Sequence, residues 1–375
     1  MTELARHSIA VAMSGGVDSL RAAVLLKEQG YDVVGLFMIL SPRKKGSKAD
    51  PSARTKALGQ RFDIPVVVVD LERDFEQFVT SPFVEAYLKG LTPNPCVVCN
   101  PKIKFGFLLE FWKTNANEIC SSLGISGEPQ PFLATGHYVS LVRPEENPYG
   151  YRYGIKRHKD KAKDQSYFLY GLSQEQLEHV LFPLASETKQ EVALWATSLG
   201  LQDLVAAESQ EICFIPSGDY VSFLEERIPG LAFSSGPIKN KNGQILGYHR
   251  GLHRYTIGQR RGIGIPSSAP YYVIKISPEE NTLYVGRKEE LSAKTCYVRE
   301  LNWVSAEYPI SSTFRASVKI RNQHVPALAT IEVLEGNYAR VCFDTPQNAV
   351  TPGQSAVFYD GEWLIGGGVI ESSEQ

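Results

Sequence analysis

No stretch of this 375-residue chain is apolar for long enough to span a bilayer. The residues ahead of the first apolar run are few and polar and show no secretory or transit pattern, so the chain is expected in the cytoplasm, without a membrane. Net charge is nearly absent: 39 Lys and Arg against 41 Asp and Glu give −2. That excludes a uniformly basic nucleic-acid coat, and any RNA contact must use local patches. Cysteine is sparse, at six, and in a reducing compartment such thiols point to reduced, catalytic or metal-bound roles and not to a disulfide framework. Solenoid repeats, coiled coils and low-complexity tracts are missing. So are G-x-x-x-x-G-K-[ST] and G-x-G-x-x-G, which removes the Walker loop and the dinucleotide fingerprint. The length suits two or three domains.

What is present is Ala12-Met13-Ser14-Gly15-Gly16-Val17-Asp18-Ser19, between the apolar run Ile9-Ala10-Val11 and a helically spaced segment, Leu20 to Lys27. Strand, glycine turn and helix direct backbone N–H groups and a helix N-terminus at one spot, where a phosphate belongs. The glycines permit close approach, and Ser14 and Ser19 offer hydroxyl donors. The string resembles the SGG-x-DS loop of the ATP pyrophosphatase superfamily. A loop without lysine suits a chemistry in which pyrophosphate departs and the α phosphorus reacts.

Apolar runs at Asp32–Met38 and Ile64–Asp70 predict strands around a helix over Arg54–Phe62, with a polar, mobile loop over Ser41–Asp50. This alternation predicts an α/β fold with a doubly wound parallel sheet. Ligands in such sheets lie beyond the strand carboxyl ends, which places Met38 either near an adenine or in the core. In Thr92-Pro93-Asn94-Pro95-Cys96-Val97-Val98-Cys99-Asn100 the prolines predict a rigid extended loop and exclude a helix. Its C-x-x-C can share a metal, a disulfide or a sulfur atom. Ile103–Leu123 predicts one long amphipathic helix, with Cys120 in the core. Phe132–Tyr138 predicts a strand ending in Gly136 and His137 at the site edge, where His137 is either structural or functional.

Arg152–Gln165 holds six Lys or Arg against two Asp and reads either as a solvated face or as a surface for a phosphodiester backbone. Helices are expected near Ser173–Leu181 and Lys189–Leu199, the second after a capping segment, Ser186-Glu187-Thr188. Cys213 falls in an apolar run, Glu208–Ile215, that reads as a short strand with the cysteine in the core. From about Gly236, short alternating strands and the turn pair Asn242-Gly243 predict β-structure. His249–Gly262 carries basic and aromatic residues with no acid, and the runs from about Tyr297 predict a small β-barrel with Cys296 and Cys342 buried.

Taken together, these motifs resemble the tRNA-specific 2-thiouridylase family nearly end to end. The matching strings, in order, are Ser14–Ser19, Thr92–Pro95, Ala134–Tyr138, Lys163–Tyr167, Glu211–Phe214, His253–Arg260 and Thr351–Gln354. The resemblance implies an ATP pyrophosphatase domain of the adenine nucleotide alpha hydrolase type over 1–215, a central β-rich domain over 216–296 and a C-terminal β-barrel over 297–375. It implies transfer of sulfur to C2 of the wobble uridine of tRNA, with ATP and Mg²⁺. Ala12, Met13, Ser14, Gly15, Gly16, Val17, Asp18, Ser19, Met38 and Gly136 would contact ATP, and Asn94, Pro95 and Cys96 would face the target base. His137, Lys163, Asp164, Gln165, Arg321, Asn322 and Gln354 would touch tRNA. Cys213 would carry a persulfide and Cys99 would act as the nucleophile that resolves it, leaving a disulfide for a reductant. By the same resemblance the acceptors are tRNAs reading Lys, Glu and Gln codons, and the sulfur donor is a cysteine desulfurase, directly or through carriers.

Many members of that family carry aspartate where this chain has Cys96. With Cys99 and Cys213 it makes three thiols, the number that related sulfur-inserting enzymes use to hold a [4Fe–4S] cluster with one open iron. Zinc on these thiols and His137 is a third arrangement, though a closed tetrahedral site would block the sulfur chemistry. A rival activity is an amide-forming ligase of the same superfamily, which needs an ammonia source and no paired cysteines. A second rival is a non-catalytic RNA-binding or sulfur-carrier protein, against which the intact loop with Asp18 and Ser19 argues.

Overall fold

The computed structural model describes residues 7–41, 50–206, 212–215, 218–228 and 234–374. Glu211 and residues 42–49 of the expected polar loop lie outside them. Four parallel strands are built first: β1 (His7–Ala12), β2 (Asp32–Ile39), β3 (Val66–Asp70) and β4 (Glu128–Ala134). A hairpin, β5 (Val139–Val142) and β6 (Gly154–Arg157), comes next, and then β7 (Val180–Leu181). The sheet order is β3-β2-β1-β4-β7, every pair parallel. Ile9, Ala10, Val11, Val33, Val34 and Leu36 are buried, as strands covered on both faces require. The order reverses between β1 and β4, so the crevice at the carboxyl ends opens between those two strands.

The middle of the chain forms a four-stranded sheet of β8 (Gly236–Lys239), β9 (Ile245–His249), β10 (Tyr272–Ser277) and β11 (Thr282–Gly286). Gly243 takes φ +80° in the β8–β9 turn, as the Asn-Gly pair predicts. Six further strands follow, β12 (Ser292–Trp303), β13 (Thr313–Lys319), β14 (Ala327–Leu334), β15 (Tyr338–Asn348), β16 (Ser355–Asp360) and β17 (Trp363–Glu374). Pairing of β12 with both β15 and β17 closes them into a barrel around Cys296, Val298, Ile331, Val341 and Phe343. Its first strand starts at Ser292, ahead of Tyr297, where the sequence predicts the strand-like runs to begin.

The barrel is sewn to the parallel sheet. β6 adds to β17, with Lys156 opposite Trp363 and Ile155 opposite Leu364. Tyr167 Oη donates to Ser355 O at 3.0 Å, and Asn302 Nδ2 donates to Tyr170 O and Leu172 O. Val304, Val357, Tyr359 and Leu364 share one apolar core with Leu133, Val139, Ile155 and Tyr167.

Three local expectations are corrected. Pro95–Cys99 is a helix, not an extended loop. Proline is tolerated at the first helical position because its missing N–H would be unpaired there anyway, and Asn94 caps the turn by accepting from Cys96 N at 3.2 Å. The long helix expected from Ile103 divides into a π-helical stretch, Asn100–Leu108, and an α-helix, Leu109–Ser122. Cys213 sits in a turn closed by Ile215 N on Ile212 O at 2.9 Å, not in a strand. Its neighbour Phe214 drives the local shape by packing edge-on against Phe75 and Phe83, which leaves Cys213 exposed.

The basic segment Arg152–Gln165 is largely committed to the seam. Arg152 pairs with Glu307, Lys156 lies over the Trp363 ring and Lys159 donates to Ser186 O. Arg157 Nε meets Asp164 Oδ2 at 2.9 Å, while Asp164 Oδ1 accepts from the backbone of His158 and Ser166. Asp164 is buried. Replacing it with alanine strands a largely buried guanidinium, and such breakage costs about 3–5 kcal/mol. Asp164→Ala is expected to lower the urea midpoint, and an unchanged midpoint would show that the pair contributes nothing.

Candidate active site

The loop after β1 turns tightly at Gly15, φ +78°, and enters the helix Val17–Glu28, whose first turn has no side-chain cap. Ser19 Oγ donates to Gly16 O at 3.0 Å and accepts from Ser14 N at 3.2 Å, holding the loop open around the helix N-terminus. This is an anion cradle of backbone N–H groups. Met13 itself is buried and its amide serves Leu36 O, so its side chain belongs to the sheet. Met38 lies one residue short of the end of β2. Gly136, after β4, closes the crevice: a Cβ there would stand 2.7 Å from Asp18 C and 2.8 Å from Ser19 N.

Two residues to which the sequence reading gave no role act on this cradle. Lys189 Nζ meets Asp18 Oδ1 and Oδ2 at 2.9 and 2.8 Å, and Tyr138 Oη donates to Asp18 Oδ1 at 2.7 Å. Lys189 opens the helix Lys189–Ser198 behind a Thr188–Glu191 capping box. A lysine in the first turn opposes the helix dipole, and that anomaly was the signal available in the sequence.

The cysteine helix is hung from the barrel. Thr92 N donates to Pro352 O at 3.0 Å, and Gln354 Nε2 donates to Thr92 O at 2.8 Å. Tyr167 Oη also reaches the Asn94 side chain. Asn100 Nδ2 donates to Phe168 O at 2.9 Å, anchoring the turn after Cys99.

Cys96, Cys99 and Cys213 come within electrostatic reach of one another and of Lys104. Burial pushes the Cys99 thiol up to about 12. Solvent reaches Cys96 and Cys213, yet the protein packed around them still raises both thiols, with Lys104 the chief opposing influence. The N–H groups of Cys213 and Phe214 also favour a thiolate at Cys213. His137 is buried between Phe105 and Phe182, its Nδ1 is 2.7 Å from Thr135 Oγ1, and desolvation followed by Lys104 holds it neutral.

No group of three or more His, Cys, Asp or Glu side chains among the described residues could hold a metal ion. The three thiols with or without His137 therefore do not fit a cluster or zinc in this arrangement. Mg²⁺ is less demanding, since one carboxylate and phosphate oxygens suffice, and Asp18, paired here with Lys189, is a carboxylate at the cradle.

The remaining expected tRNA contacts are more scattered. Gln165 Oε1 accepts from Tyr138 N at 2.9 Å, and Lys163 N donates to Asp160 O at 3.0 Å. Arg321 and Asn322 follow β13 beside Lys319, whose Nζ lies 5.7 Å from the Tyr167 ring centroid.

Known proteins bear on this geometry. Residues 7–217 match the family described as tRNA methyl transferase HUP domain, 221–287 its PRC-barrel domain, and 293–370 the aminomethyltransferase beta-barrel domain. The chain is 42% identical to the tRNA-specific 2-thiouridylase MnmA of Geobacter metallireducens, over 100% of this chain and 99% of that one. It is 43% identical to the protein of that name from Moorella thermoacetica, over 97% and 99%. Against the one from Halothermothrix orenii it is 40% identical, again over 97% and 99%. The chain belongs to the tRNA-specific 2-thiouridylase family.

In this 2-thiouridylase-family chain the anion cradle follows β1, while Cys99 ends a short helix and Cys213 sits in a turn within electrostatic reach of it. Family membership implies ATP use, and the crevice between β1 and β4 offers backbone donors of the kind a phosphate needs. The closeness of Gly136 to the cradle gives a test. Gly136→Ala is expected to push the loop aside, at about 1–3 kcal/mol of overpacking, and to weaken ATP binding in a calorimetric titration while the far-ultraviolet spectrum stays unchanged. Undiminished affinity would mean that this crevice is not the nucleotide site.

Proposed function

We propose that the protein is a tRNA-uridine 2-sulfurtransferase that uses ATP to activate C2 of the wobble uridine and a Cys213 persulfide to deliver sulfur. The observation that carries this reading is the pairing of a cradle whose loop holds no lysine with Cys99 and Cys213, brought together from positions 114 apart (213 − 99). An amide-forming ligase would have no use for that pair.

The uracil C2 oxygen attacks the α phosphorus, pyrophosphate leaves, and the base is adenylated. The Ser14–Ser19 loop holds the departing charge with backbone N–H groups; Asp18 would be the residue to hold Mg²⁺, which would supply further charge neutralisation when bound. Lys189 can leave Asp18 for a phosphate oxygen without travelling far. The persulfide anion Cys213–S–S⁻ then attacks C2, and AMP departs with the C2–O electron pair. A mixed disulfide joins C2 to Cys213. The Cys99 thiolate attacks the Cys213 Sγ, the sulfur–sulfur bond breaks, and 2-thiouridine leaves with the outer sulfur. A Cys99–Cys213 disulfide remains, and an external reductant returns it to two thiols. Water must be kept out, or the adenylated base hydrolyses.

Asn94, Pro95 and Cys96 are assigned to the base, which leaves the anticodon loop to reach them. The barrel segment that grips Thr92 supports this assignment, because it fixes where the helix begins. His137, Lys163, Gln165, Arg321 and Asn322 are assigned to tRNA. Asp164 and Gln354 act through the elements they hold, His137 as a neutral polar group. Acceptors reading Lys, Glu and Gln codons and a cysteine desulfurase donor complete the reading, with the cytoplasm as its compartment. The persulfide is favoured over a [4Fe–4S] carrier because the three thiols are not gathered as metal ligands.

Cys213→Ser is expected to abolish 2-thiouridine in nucleoside analysis of tRNA while pyrophosphate release and ATP binding persist. Thiolation surviving that change would sink the persulfide route, and loss of ATP binding would make Cys213 structural. Protein purified without oxygen is expected to contain no stoichiometric iron or acid-labile sulfide. About four irons per chain would instead reinstate the cluster.

A further inference from the structure

Lys104 is half-buried on the π-helical turn that follows Cys99, and its charge acts on Cys96, Cys99, Cys213 and His137 alike. These groups come from three separate segments of the chain, so their convergence on one ammonium is a product of the fold. Wide π turns recur at functional sites, where the extra residue re-aims side chains. Here the turn is pinned at its start by Asn100 on Phe168 O, and Phe105, the next residue after Lys104, packs against His137.

No carboxylate pairs with Lys104 among the described residues. A partly desolvated cation without a counter-ion is costly unless an anion arrives. The described residues of the resting site supply none, since burial and Lys104 hold His137 neutral and burial raises the three thiols. During turnover the charge that appears beside Lys104 is carried by sulfur, first on the outer atom of a persulfide and then on the resolving cysteine.

We propose that Lys104 is the positioning cation of sulfur transfer, holding the persulfide anion of Cys213 toward the target base and then the Cys99 thiolate toward Cys213. The inference rests on the persulfide reading above. Lys104 remains an ammonium throughout, and no bond to it forms or breaks. The proton lost from each sulfur goes to solvent.

The test uses the full-length chain as wild type, Lys104→Met and Lys104→Arg. Adenylation is followed as tRNA-dependent pyrophosphate release, sulfur transfer as single-turnover formation of 2-thiouridine from persulfide-loaded enzyme, and sulfur reactivity as the rate at which iodoacetamide labels Cys213 and Cys99 at fixed pH. A neighbouring opposite charge displaces a titration by about one to three pH units, so removing it should slow labelling and sulfur transfer at least about tenfold. Lys104→Met is expected to release pyrophosphate at the wild-type rate yet transfer sulfur at least about tenfold more slowly. Lys104→Arg is expected to recover most of the loss. Unchanged sulfur transfer in Lys104→Met overturns the proposal. So does an equal loss of pyrophosphate release, which would place Lys104 on the nucleotide or in the fold, or failure of Lys104→Arg to do better than Lys104→Met. Thiolation that survives Cys213→Ser in an otherwise wild-type chain overturns the persulfide reading instead, and is scored without any Lys104 variant.

Discussion

The hydrogen bonds between β6 and β17, with Tyr167, Tyr170 and Asn302 alongside, hold the parallel sheet and the barrel as one structure. Backbone pairing is directional, so it fixes the angle and register between the two halves in a way that an apolar contact alone would not. The cysteine helix then hangs between them, gripped at Thr92 by Pro352 and Gln354 and at Asn94 by Tyr167. Its position relative to the cradle is thus set by residues more than 200 positions away in sequence, Pro352 and Gln354 against Thr92. The barrel is in this sense part of the site without lining it.

Electrostatics in the cradle follow from one conflict. A helix N-terminus ringed by free N–H groups attracts an anion, and the nearest is the chain's own Asp18. Left alone, that carboxylate would repel a triphosphate. Lys189 neutralises it and Tyr138 donates a hydrogen bond to it, and their contacts at 2.7–2.9 Å are strong because charge assists them. A lysine missing from the loop is therefore supplied from another helix, and the cradle reaches near neutrality without losing its backbone donors.

The parallel sheet, the loop and the barrel were legible in the sequence because each has a local signature: buried apolar runs, Ser-Gly-Gly before a helix, and alternation between turns. What was not legible is instructive. Prolines at 93 and 95 argued against a helix, but proline disfavours a helix interior and not its first position, and Asn94 supplied the cap that tips the balance. Cys213 read as core because its neighbours are apolar; Phe214 takes the core position and turns the cysteine outward. The basic run at 152–165 looked like an RNA surface, yet four of its cations, Arg152, Lys156, Arg157 and Lys159, spend their charge or their donors within the protein. Partners far apart in sequence leave no local trace, which is also why Lys189 and Lys104 went unassigned.

The same logic bears on the thiol at position 96, where the resemblance noted in the sequence implies an aspartate in many members. An aspartate within electrostatic reach of Lys104 would give that ammonium a permanent counter-ion. Cys96 does not, because the protein packed around it raises its thiol even though solvent reaches it. Among the described residues no anion pairs with Lys104 at rest, so the charge it meets is the one that sulfur chemistry generates. Burial that lifts Cys99 to about 12 works in the same direction, since a protonated thiol neither resolves a persulfide early nor oxidises readily. Reactivity in this site is therefore withheld by desolvation and released by charge. The substitution at 96 shifts more of that release onto a single lysine than a carboxylate there would allow.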